Sequence, residues 1–126
     1  MKSLRPHTRV LLALNGRTLE RELLATLLRH CAHLCPRLDI LLINPPREPT
    51  TMLALLLLRL EHSGIDYHVS SAHGEMSEEI LSYLGRYRGI SALALADPAQ
   101  VSEETKALVT LKGHQIVYLS TPEQAG

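Results

Sequence analysis

The sequence predicts an α/β domain: a doubly wound, five-stranded parallel sheet in the order 3-2-1-4-5, with helices on both faces. Three observations predict it. Short apolar runs alternate strictly with stretches of helical periodicity, which implies parallel strands joined by right-handed crossovers. The runs RVLLAL, LDILLI and SALALA read as apolar throughout, as strands covered on both faces do. IDYHVS alternates instead, with Ile65, Tyr67 and Val69 set against Asp66, His68 and Ser70, the pattern of a sheet edge.

Each element has its own local signals. RVLLAL (Arg9 to Leu14) is the first strand, bounded by Asn15-Gly16. A helix follows with Thr18 as N-cap, Glu20 where the dipole favours a carboxylate, and Leu19, Leu23, Leu27 and Leu34 at helical spacing. Pro36 stops it. The second strand, Leu38 to Ile43, ends at the breaker cluster NPPREP. The second helix runs from Thr51 to His62 and closes at Ser63-Gly64. The edge strand, Ile65 to Ser70, leads through the loop SSAHGEM into SEEILSYLGRYRG, a third helix. Ser77 is expected to cap it, with Ile80, Leu81, Leu84 and Tyr87 as its buried stripe. Ser91 to Ala96 forms the fourth strand. A fourth helix, Val101 to Leu111, is capped by Ser102 and closed at Lys112-Gly113. QIVYLS is the last strand and TPEQAG a short polar tail.

Composition narrows the function classes. A chain of 126 residues suits one domain, 1–126, with its core over about 9–119. Lys+Arg and Asp+Glu balance at 13 each, which argues against nonspecific nucleic-acid binding. The absence of Trp and Phe removes the usual base-stacking platforms. MLALLLLRL (Met52 to Leu60) is too short to span a bilayer and is interrupted by Arg59, so no membrane association is expected. MKSLRPHTR leads into only a short apolar strand, not a signal-peptide core. Cys31 and Cys35 sit in HCAHLC, which invites a zinc reading. On a helix the two cysteines share a face, whereas His30 and His33 point elsewhere. They read as packed thiols of a reduced, cytoplasmic protein, with no metal.

The predicted strand order places a ligand crevice beyond the carboxyl ends of the strands, where strands one and four diverge. Asn15, Gly16, Arg17 and Thr18 line one side and Asp97 the other, with Asn44 and His73 along the rim. NGRT is the better anion candidate, since Gly16 permits a tight turn, Arg17 can pair with an oxyanion and Thr18 exposes a hydroxyl. ADPAQVSEE suits a phosphate poorly. Pro98 has no N–H, Asp97 adds negative charge, and Glu103 and Glu104 occupy the helix start where a phosphate would gain from the dipole. The dinucleotide fingerprint, the P-loop lysine motif, HExxH and GxSxG are all absent. Of the seven histidines only His73 falls near the crevice.

The order and spacing of these elements, from Arg9 to Leu119, resemble the universal stress protein family. RVLLALNG is similar to that family's opening strand and loop. HGEMSEEILSYL is similar to the segment before its fourth strand, with Gly74, Glu79 and Ile80 in place. QIVYLS falls where the family has its final strand, often used for dimerisation. Two departures stand out. The first loop carries Asn15 where the family usually has Asp, and the glycine-rich ATP signature after strand four is missing, Gly113 being the single glycine between Ala96 and Gln115. The resemblance therefore implies the fold and a stress-linked role without carrying over the nucleotide site.

The expectation is a non-enzymatic, regulatory or small-ligand-sensing domain with no required cofactor. It would pair with a second copy through Ile116, Val117, Tyr118 and Leu119 of the last strand. One alternative is an adenine-nucleotide-binding protein, for ATP or AMP, with a remodelled phosphate site around Arg17 and Thr18. A second is a small hydrolase or transferase using Asp97 and His73.

Overall fold

VLLALN has no side chain that needs water until its last residue, and it forms the central strand β1 (Val10–Asn15). The computed structural model describes residues 9–15, 37–45, 51–95 and 101–118, with the backbone only at Met52. Within them β2 (Arg37–Ile43), β3 (Asp66–Ala72), β4 (Ala92–Leu95) and β5 (Gln115–Tyr118) join β1 in one sheet. Its order is β3-β2-β1-β4-β5, and every pairing is parallel. The described helices are α1 (Thr51–His62), α2 (Met76–Arg86) and α3 (Glu103–Leu111). The helix expected from Thr18 to Leu34, with Cys31 and Cys35, lies outside the described residues, as do Gly16, Arg17, Thr18, Asp97, Pro98 and Leu119.

The two-residue period of the strands sorts the core into two layers. Val10, Leu12, Leu14, Leu38, Ile40, Ala92 and Ala94 face one side, where Leu56 and Leu60 of α1 cover them. Leu11, Ala13, Leu41, Ile43, Leu93 and Leu95 face the other, beneath Ile80 and Leu84 of α2 and Val109 of α3. Helices thus cover both faces. Each leucine taken fully out of water contributes about 2 kcal/mol, so this double layer is the main source of stability.

Among the described strands β3 pairs only with β2, and its residues are exposed or half-buried, as the alternation of IDYHVS predicts for an edge. The strand starts one residue later and ends two later than the sequence suggests. Helix α1 matches its expected bounds. It closes through Gly64 at φ +76°, a conformation that a Cβ disfavours, with the Ile65 N–H returning to the Leu60 carbonyl at 3.0 Å.

Two expectations are corrected. Ser77 does not cap α2: the helix begins at Met76, its N-cap position is Glu75, and no side chain caps it. Ser77 is buried instead, and its Oγ accepts the Ser102 N–H at 3.4 Å, tying the starts of α2 and α3 together. LDILLI is not apolar throughout in its effect, because Asp39 is buried within it at 1% exposure and carries a polar cluster.

Candidate functional site

At the carboxyl end of the sheet, Asn15 ends β1, Asn44 follows β2 and His73 follows β3. With Pro45 they line a cavity of about 410 Å³, within the range of small-molecule clefts. Three of the seven site residues named from sequence are therefore brought together. Gly16, Arg17, Thr18 and Asp97 lie outside the described residues, so the described cavity is the β1–β2–β3 side of the expected crevice.

Asn44 shapes this rim. Its backbone sits at φ +53°, a left-handed conformation that asparagine tolerates better than most residues. Its N–H donates to the Ala72 carbonyl at 2.7 Å, extending the β2–β3 pairing by one step. Its side chain then clasps Gly74: Nδ2 donates to the Gly74 carbonyl at 2.8 Å, and Oδ1 accepts the Gly74 N–H at 3.0 Å. That leaves one amide hydrogen and one lone pair for a ligand. The φ of Gly74 is +151°, and a Cβ would lie 2.7 Å from Oε2 of Glu79. Glycine suits this position through its backbone conformation, since a side chain here is strained at that φ whereas the Glu79 carboxylate can move aside. The clasp holds the loop that carries His73, which is exposed.

Helix α3 starts on the other side of the sheet's carboxyl end, and its own residues fill its opening. Ser102 Oγ accepts the Thr105 N–H at 3.1 Å, as the sequence predicts for the cap. The Ser102 N–H goes to Ser77, and Glu103 and Glu104 occupy the first turn. Helix α2 likewise carries Glu78 and Glu79 in its first turn. Of the three described helix starts at the sheet's carboxyl end, those of α2 and α3 present carboxylates where a phosphate would otherwise gain from the dipole, whereas α1 has no acidic residue in its first turn.

A second polar cluster was missed from sequence. Arg9 donates to Asp39 through Nε at 3.0 Å and Nη2 at 2.6 Å, and the Tyr83 hydroxyl donates to Asp39 Oδ2 at 2.6 Å. Burial pushes the Asp39 carboxyl up, but the bonds from Arg9 and Tyr83 outweigh it and hold the group below its ordinary value. The Tyr83 phenol is pushed up to about 12, by burial first and then by the Asp39 carboxylate. Tyr87 stacks on Tyr83 at 4.4 Å between ring centroids, and the Arg9 guanidinium lies 5.9 Å from the Tyr87 ring. One signal was available: a lone Asp inside an apolar strand needs a partner when the strand is buried.

Among the described residues no three His, Cys, Asp or Glu side chains gather in a way that could hold a metal ion. None of the described helices is long and apolar enough to cross a membrane. His114 serves the fold, its Nδ1–H donating to the Ile90 carbonyl at 2.8 Å.

No protein-family model and no curated protein matches the sequence. A solved structure is similar, that of a protein from the universal stress protein family from Burkholderia pseudomallei. The two share 16% identity with a TM-score of 0.57, over 91% of this chain and 97% of that one. The fold is a universal-stress-protein-like α/β fold, and at this identity the likeness establishes the fold alone.

Proposed function

We propose that the protein is a non-enzymatic, dimeric regulatory domain that senses a small ligand at the carboxyl-end cavity and does not bind ATP in the manner usual for the universal stress family. The observation that carries this reading is the opening of α3, where Ser102 Oγ holds the Thr105 N–H and Glu103 and Glu104 fill the first turn. A triphosphate at this helix start would meet two carboxylates and lose backbone donors already in use.

The ligand site comprises Asn15, Asn44 and His73, completed by Gly16, Arg17, Thr18 and Asp97. The cavity offers amide and imidazole groups, which suit a small polar ligand. Self-association is assigned to β5, which pairs only with β4 in the described sheet. Tyr118 and the neighbouring Leu111 are exposed at 41% and 81%, and both line the groove between α3 and β5. Ile116, Val117, Tyr118 and Leu119 would form the contact between two copies, at an edge that otherwise leaves backbone groups unpaired. A cytoplasmic, stress-linked role completes the reading.

Calorimetry with ATP, ADP and AMP at millimolar ligand, alongside light scattering at micromolar protein, tests both halves. The expected result is no binding heat and the mass of a dimer. Saturable heat with ATP would overturn the ligand half and favour the adenine-nucleotide alternative; a monomer across the range would overturn the dimer.

A further inference from the structure

Between the edge strand β3 and helix α2 lies a second cleft, of about 80 Å³, lined among others by Ser70, Ser71, Ser82, Tyr83 and Arg86. We propose that it binds a small oxyanion, a phosphate or carboxylate group, independently of the cavity at Asn15, Asn44 and His73.

The cleft follows from helical spacing. Glu79, Ser82, Tyr83 and Arg86 fall at i, i+3, i+4 and i+7 of α2, so one face of the helix turns toward the sheet edge. Its floor is a neutral phenol that cannot donate into the cleft. The Tyr83 proton is committed to Asp39 at 2.6 Å. The floor is thereby fixed in place and uncharged.

The donors sit at the mouth. Arg86 is exposed and makes no hydrogen bond or ion pair with the described residues, so its guanidinium fork is open to a bidentate partner. Ser82, one turn earlier, is exposed and equally uncommitted. The sheet edge supplies a third donor. Because the Ala72 carbonyl accepts from Asn44 of the β2 side, strand alternation turns the Ser71 N–H and C=O outward, away from β2. Glu79 also lines the cleft, two helical turns before Arg86, with its carboxylate beside Gly74. A space of this size holds several waters, each needing about 10–15 Å³, or one oxyanion in their place.

The test is a ¹H–¹⁵N NMR titration of the full chain with sodium phosphate and, separately, sodium acetate, at constant ionic strength set with sodium chloride. The expected result is saturable shifts at the Ser71 and Ser82 amides and the Arg86 Nε–H with at least one anion. Phosphate alone would assign a phosphate-bearing ligand and acetate alone a carboxylate, and saturation by both would assign a general oxyanion site. Arg86→Gln should weaken binding about tenfold and Ser82→Ala about threefold, with far-ultraviolet circular dichroism unchanged. Shifts that grow linearly with both anions would overturn the proposal. So would equal affinity in Arg86→Gln, or shifts centred on Asn44 and His73 instead.

Discussion

The Tyr83 hydroxyl donates to Asp39 at 2.6 Å across 44 residues of sequence, joining α2 to the second strand inside the apolar layer. Arg9, 30 residues away on the other side, grips the same carboxylate through two nitrogens. Asp39 is 1% exposed and Arg9 24%, so the pair is buried at the acid and partly wet at the base.

Removing one partner strands the other. Arg9→Met is expected to cost about 3 kcal/mol, near the low end for breaking a buried pair because Arg9 keeps some contact with water. The double variant Arg9→Met/Asp39→Leu should recover most of that loss, since it removes the uncompensated charge. Urea denaturation of both single variants and the double measures the coupling, and additive losses would contradict the account.

The same cluster sets the pH dependence on both flanks. Asp39 titrates below its ordinary value in the folded state, so its contribution is present above about pH 4, where the unfolded carboxyl is ionised, and is lost as pH falls through the lower folded value. Tyr83 is raised to about 12, so its contribution is full below about pH 10 and declines as pH rises toward 12. That alkaline loss is about 2–3 kcal/mol. Denaturation at pH 9 and near pH 12 should show it in the native sequence and not in Tyr83→Phe. An equal alkaline loss in the variant would contradict the assignment.

Asn44 and Gly74 are coupled through two hydrogen bonds between the Asn44 side-chain amide and the Gly74 backbone. Asn44→Gly keeps the left-handed conformation and loses the clasp, and is expected to cost about 1–2 kcal/mol. Asn44→Ala should cost about 1 kcal/mol more, from the strained φ. Thermal unfolding of the two variants separates bond from backbone, and the reverse ranking would contradict the geometry.

Ser102→Ala removes the side-chain cap from α3 and is expected to cost about 1 kcal/mol. Faster amide exchange at Thr105 should accompany it. Unchanged exchange there would mean the cap is not formed in solution.

The fold was legible because its signals are local. The alternation in IDYHVS marked β3 as an edge, the continuous run in RVLLAL marked β1 as central, and Thr51 to His62 carried both helical spacing and a closing glycine. The rim residues Asn15, Asn44 and His73 were legible for a related reason, since strand ends are readable and the parallel order sends them to one face. What escaped was nonlocal. Asp39 vanished into an apolar count because its partners lie 30 and 44 residues away. Ser77 carried the local signature of a cap, but the N-cap position of α2 lies two residues earlier, at Glu75, and the Ser77 hydroxyl meets Ser102 instead. The Asn44 clasp was hidden in NPPREP, where the prolines advertise a chain break and conceal a side chain that organises the neighbouring loop.

The start of α3 carries the functional reading, and the Thr105 amide is its most direct reporter. In a ¹H–¹⁵N titration with ATP at constant ionic strength, the amides of Ser102, Glu103, Glu104 and Thr105 should stay within the drift produced by sodium chloride. A saturable shift at those four amides would place a phosphate at the helix opening and contradict the account.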